Sequence, residues 1–117
     1  MSSFDHPVLI QDISKNMRTL HKAQPDAMQG FSQLAKAAMA TGAISEKHKE
    51  LIALAIGITQ HCSGCIGFHV KALRRLGCAR EELEEMLAVC VYMGGGPALM
   101  YASEAIAAWD AFDAVAA

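Results

Sequence analysis

The chain has 117 residues and a formal net charge of −2, enough for one domain with a modest core. Apolar residues make up 53% and aromatics only 6%, so the core must be built mostly from Ala, Leu, Ile and Met, a mixture that suits helices. No basic stripe interleaves with aromatics, which argues against nucleic-acid binding, and no apolar run reaches membrane-spanning length, the longest ending at His61.

The opening residues, Met1-Ser2-Ser3-Phe4-Asp5-His6-Pro7, lack the basic stretch and apolar core of a secretory leader, so a cytosolic setting is expected. A first helix is predicted from Val8 to Lys22, with Val8, Ile10, Ile13, Met17 and Leu20 as its apolar stripe. Pro25 and Asp26 open a second, which carries Met28, Phe31, Leu34, Ala35, Ala38 and Met39 and is expected to stop with Gly42 at its C′ position. Ser45 caps a third, with Glu46 in its first turn, running to about Gln60. Leu51 to Ile58 is apolar on every face, the pattern of a fully buried helix.

A fourth helix is predicted from near Cys62 to Leu76, with Gly77 at C′ and with Lys71, Arg74 and Arg75 in its later turns, where positive charge complements the helix dipole. The fifth starts near Ala79 and buries Leu83, Met86, Leu87 and Cys90 at i, i+3, i+4 and i+7. Gly94-Gly95-Gly96 breaks it, and Pro97 restarts a sixth that runs toward Val115. No strand pattern appears, so the expectation is a single all-α domain over residues 1–117. A chain this short has few elements with which to surround an all-round apolar third helix, and the Ala-rich last helix leaves apolar surface too. An oligomer that completes the core is therefore expected.

The chemistry concentrates in Cys62-Ser63-Gly64-Cys65-Ile66-Gly67-Phe68-His69. On a helix, Cys65 and His69 lie one turn apart on the same face, and a thiol attacks as its thiolate, so a base at that spacing bears directly on reactivity. Glu50, at the edge of the apolar third helix, could pass a proton between the histidine and solvent. Two other readings stand beside this one. Cys62, Cys65 and His69 are three ligands of a structural zinc, but no standard spacing supplies the fourth. Alternatively both thiols are buried hydrophobes, against which stands the polar break Thr59-Gln60-His61. Cys78 and Cys90 have no base nearby. His6, His21 and His48 read as solvated surface residues, and His61 as intermediate because it adjoins the dithiol. Gly94-Gly95-Gly96 does not match a phosphate loop, and no nucleotide, flavin or metal cofactor is implied.

Glu50, eleven further residues, then Cys62-x-x-Cys65-x3-His69 resembles the signature of the alkyl hydroperoxidase D-like proteins, within the wider carboxymuconolactone decarboxylase family. The likeness runs from about Gln29 through Met93-Gly94-Gly95-Gly96-Pro97-Ala98 to the last helix, and residues 1–24 carry least of it. It implies an all-helical protein that assembles as trimers or hexamers and reduces hydroperoxides through a cycling disulfide. By the same resemblance Cys65 is the peroxidatic thiol, Cys62 the resolving one, His69 the base and Glu50 the distal proton acceptor. A dithiol such as a lipoyl group or a thioredoxin-like protein would be the reductant. One departure is that the hydroperoxidase has a histidine immediately before its second cysteine, where this chain has Gly64. The decarboxylase branch generally lacks the cysteine pair, and a decarboxylase-type enzyme is a further reading, for which the sequence offers no substrate-shaped acid/base site. A redox sensor or partner-binding module without peroxidase activity is the other reading of the same dithiol.

Overall fold

The computed structural model describes residues 4–116, with side chains as far as Asp113. It contains α1 (His6–Ala23), α2 (Pro25–Met39), α3 (Glu46–Thr59), α4 (Ser63–Arg75) and α5 (Arg80–Ala116), and no strand among the described residues. α1 begins slightly earlier than its apolar stripe suggests, because the Asp5 carboxylate accepts the Val8 N–H at 3.2 Å and caps it.

α2 opens on Pro25 as expected but ends at Met39, short of Gly42. Ala40 leaves the helix in extended geometry, and the Lys49 ammonium donates to the carbonyls of Ala38 (2.9 Å) and Ala40 (2.6 Å). A cation thus serves the orphan carbonyls that a left-handed glycine turn would otherwise have served. The expected role of Gly42 as the C′ residue is therefore corrected.

Ser45 caps α3 by accepting the His48 N–H at 3.2 Å. α3 and α4 end alike. After α3, Cys62 N–H bonds to the Gly57 carbonyl (2.9 Å) and His61 N–H to that of Ile58 (3.2 Å), with His61 at φ 57°. After α4, Cys78 N–H bonds to Leu73 (3.0 Å) and Gly77 N–H to Arg74 (3.2 Å), with Gly77 at φ 77°. Both are Schellman turns, but only the second has the glycine that the left-handed position favours.

α5 is continuous by its hydrogen bonds yet breaks at Gly95, where φ is 71° and ψ −154°. The chain doubles back there, so that Arg80 in the first limb reaches Asp110 in the second at 2.6 Å. The expected fifth and sixth helices are these two limbs. Residues Arg80–Asp113 are together long and apolar enough to cross a membrane by length and composition, but the reversal folds that length into a hairpin.

The core lies where α3, α4 and both limbs of α5 meet. Leu54, Ile58, Ile66, Val70, Leu73 and Leu83 are fully buried there, with Ala102, Ala105, Ala108 and Trp109 closing one side. Each large side chain removed from water contributes about 1.5–3 kcal/mol. Two expectations fail around this core. α3 is buried on one side only, and Ile52 and Ile56 stay 50% and 51% exposed, because no element remains to cover its far face. α2 buries no residue at all, leaving Phe31 and Leu34 exposed.

Candidate active site

α3 and α4 form an antiparallel hairpin about His61, and their closest approach is at Gly57. A Cβ placed on Gly57 would lie 2.9 Å from the Cβ of Cys65, so only glycine allows α3 to sit this near the second cysteine. On its other side α4 receives α1. Cβ atoms built on Gly64 and Gly67 would lie 2.8 Å from Ile13 Cδ1 and 2.5 Å from Ile10 Cγ2. Three glycines therefore fix how α4, and the cysteines at its start, are held between two helices.

Cys62 is the N-cap of α4, and its sulfur accepts the Cys65 N–H at 3.2 Å. Cys62 and Cys65 are joined in a disulfide, with their Cα atoms 5.2 Å apart, inside the ordinary range for such a bridge. Both residues are partly accessible, so neither is a sealed core thiol. His69 lies one turn after Cys65 on α4, and its Nδ1 is 2.5 Å from Glu50 Oε1 on α3. The Glu50 side chain is only 10% exposed and that of His69 31%. An ionised Glu50 can only accept, which puts the imidazole proton on Nδ1 and leaves Nε2 with its lone pair. The hairpin thus sets all four residues singled out in the sequence along the α3–α4 pair, in the order Glu50, His69, Cys65, Cys62 from the second turn of α3 toward the connection. Such an arrangement can take a proton from a thiol and hold the resulting imidazolium against a carboxylate.

The remaining titratable groups divide differently from the sequence expectation. Cys78 and Cys90 are buried, and burial pushes both thiols up, with the Glu82 carboxylate adding to the effect at Cys78. His6 is not a surface residue: it is 1% exposed, with Nε2 2.9 Å from Glu104 Oε1 and Nδ1 buried without a partner. It ties the start of α1 to the second limb of α5, which its position next to a predicted helix start did not reveal. His48 contacts its own cap, with Nδ1 2.7 Å from Ser45 Oγ. His61 stacks face to face on Tyr101, with centroids 4.6 Å apart and planes within 4°. That contact helps hold the left-handed turn that delivers Cys62. A histidine at a helix C′ position is the signal that would have found it. Among the described residues no group of three or more His, Cys, Asp or Glu is arranged to hold a metal ion.

The sequence profile of the carboxymuconolactone decarboxylase family matches residues 25–112, which leaves α1 outside it. An uncharacterized protein of Cupriavidus necator is 41% identical over 105 residues, covering 90% of this chain and 93% of that protein. Uncharacterized protein 4 in the cox locus of Paracoccus denitrificans is 37% identical over 83 residues, covering 71% and 75%. A crystal structure of an apo carboxymuconolactone decarboxylase family protein from Legionella pneumophila superposes with a TM-score of 0.90 at 48% identity, covering 92% of this chain and 96% of that one. By fold, profile and signature together, the chain belongs to the carboxymuconolactone decarboxylase family, as an alkyl hydroperoxidase D-like member.

Proposed function

We propose that the protein is a thiol–disulfide oxidoreductase that reduces hydroperoxides by cycling Cys62 and Cys65. The observation that carries this reading is the Glu50–His69 pair, buried between α3 and α4 one turn from Cys65. A carboxylate–imidazole pair has no structural need to sit beside a partly accessible dithiol, but a thiol that must lose a proton has every need of it. In the reduced protein, Cys65 gives its proton to His69, and the positive end of α4 favours the thiolate left behind. The thiolate sulfur attacks the terminal oxygen of the hydroperoxide and the O–O bond breaks. The alkoxide leaves with the proton from His69 as an alcohol, and Cys65 becomes a sulfenic acid. The Cys62 thiol then attacks Cys65 sulfur, water departs, and the disulfide closes. An external dithiol, a lipoyl group or a thioredoxin-like protein, returns both thiols by exchange and is itself oxidised to a disulfide.

Assembly as a trimer or hexamer belongs to the same reading. Its support is the apolar surface left uncovered on α2 (Phe31, Leu34), α3 (Ile52, Ile56) and the first limb of α5 (Val89, Met93). Light scattering should then give several times the chain mass of 12.5 kDa. The deciding experiment measures consumption of an organic hydroperoxide with a panel of dithiol donors, using Cys65→Ser as the control. Saturable turnover that Cys65→Ser abolishes is the expected result. Reversible closure of the disulfide with no hydroperoxide consumption under any donor would replace this reading with that of a redox sensor.

A further inference from the structure

α1 and α4 line an open groove of ≈ 450 Å³ that the chemistry above does not use. Ile10 and Phe68 form its apolar wall, and Lys15, Arg18 and Lys71 reach into it, against a single carboxylate, Asp12. The concentration of charge is specific to this place. Of the 10 lysines and arginines in the chain, Lys47, Arg74, Arg75 and Arg80 hold carboxylates and Lys49 holds backbone carbonyls. Among the five without such a partner in the described residues, three converge on this groove. Cys65, Phe68 and Lys71 succeed one another at intervals of three along α4, so Lys71 lies about 9 Å from Cys65 by helical rise with Phe68 between them, while Lys15 and Arg18 line the groove from antiparallel α1.

We propose that this groove binds the carboxylate of an amphipathic acid, whose chain crosses Phe68 and carries a hydroperoxide to Cys65. The substrate class is therefore a medium-chain hydroperoxy acid, an assignment that rests on the peroxidase reading above. Three unpaired cations supply charge-assisted bonds to the carboxylate, and the ring and Ile10 cover the apolar chain. α1, which builds one wall of the groove, lies outside the span matched by the family profile, so the preference is not one that the profile carries.

The test has a binding arm and a turnover arm. In the first, octanoate and octanamide, which differ in charge, are titrated into the full-length protein and amide resonances are followed by NMR. Octanoate should shift Lys15, Arg18, Phe68 and Lys71, bind about tenfold more tightly than octanamide, and lose that advantage in Arg18→Gln/Lys71→Gln or at high salt. All three cations are exposed and unpaired, so these substitutions leave the packing intact. Equal binding of the two probes, or shifts confined to the apolar hairpin of α5, overturns the site. In the second arm, the ratio of KM for a hydroperoxy acid methyl ester to that for the free acid should exceed one and collapse toward one in the double variant. A charge preference seen only for the donor, dihydrolipoate over dihydrolipoamide, overturns the assignment to the peroxide. Octanoate binding without any hydroperoxide turnover would refute the peroxidase reading and the hydroperoxy-acid assignment with it. Turnover without octanoate binding would refute the groove alone.

Discussion

Replacing Gly57 by alanine sets two effects of known size against each other. Alanine inside a helix is favoured over glycine by about 1 kcal/mol. Against this, the new methyl would sit 2.9 Å from Cys65 Cβ, while carbon atoms prefer a separation of about 3.5–4.0 Å. Neither atom is the free end of a flexible side chain, so the relief must come from the backbones moving apart by roughly 0.6–1.1 Å. Overpacking of this kind costs about 1–3 kcal/mol. Gly30, in the middle of α2, supplies the control, because a Cβ there meets nothing within 4 Å. Gly30→Ala should therefore gain its full helix-propensity benefit, and Gly57→Ala should fall below it by the packing cost. At ~4 °C per kcal/mol for a chain of this size, thermal unfolding followed by circular dichroism should separate the two variants by about 4–12 °C. The same displacement moves Cys65 relative to α3, so hydroperoxide turnover should fall in Gly57→Ala and not in Gly30→Ala. Equal rises in Tm for both variants would refute the claim that α3 and α4 are in contact at this glycine.

Three further outcomes are expected. Glu50→Gln and His69→Ala should each slow Cys65 alkylation at neutral pH by up to about thirty-fold, the ceiling set by a free thiol that is still about 3% thiolate there, and the double variant should be little slower than either alone, since both act on one proton transfer. After peroxide treatment, Cys78 and Cys90 should remain the two titratable thiols and react only above the usual thiol range, because burial holds both pKa values up; peptide mapping that found a Cys78–Cys90 bridge would contradict this. His61→Gly relieves a left-handed conformation costing about 1–2 kcal/mol but loses a stack worth about 0.5–1.5 kcal/mol, so stability in denaturant should change by between a loss of ~0.5 and a gain of ~1.5 kcal/mol, whereas the β-branched His61→Val should be plainly destabilised.

The site was more legible than the surface. That Glu50 would meet His69 one turn from Cys65 could be read because helical spacing and an acid in an apolar run are local signals, and a short connection between two helices makes a hairpin almost unavoidable. Gly95 and Gly77 were legible for the same reason, since a left-handed turn demands glycine locally. What failed depended on partners distant in the chain. Gly42 was a plausible helix stop, but Lys49, seven residues further on, took over the carbonyls. His6 is buried because Glu104, 98 residues away, meets it. The apolar run of α3 read as a helix buried on every face. Its far face finds no cover within the chain, which the pattern alone could not distinguish from burial in a single-chain core.

The glycine that departs from the hydroperoxidase pattern and the helix that lies outside the family profile are two sides of one feature. Gly64 stands where the hydroperoxidase has histidine, and Ile13 of α1 presses its δ-methyl to within 2.8 Å of where a Cβ would begin. The end of an isoleucine can turn aside for a single methyl, but not for an imidazole. Nor can α1 simply shift, because one turn away Ile10 packs with its branched Cγ2 against Gly67, and His6 is pinned to Glu104 beyond that. A side chain larger than a methyl at position 64 and Ile13 of α1 therefore compete for the same space. The absent histidine is a packing requirement of the N-terminal helix, and it removes nothing from the Glu50–His69 pair, which lies on the side of α4 facing α3. What α1 supplies in exchange is Lys15 and Arg18, which line one groove together with Lys71 of α4.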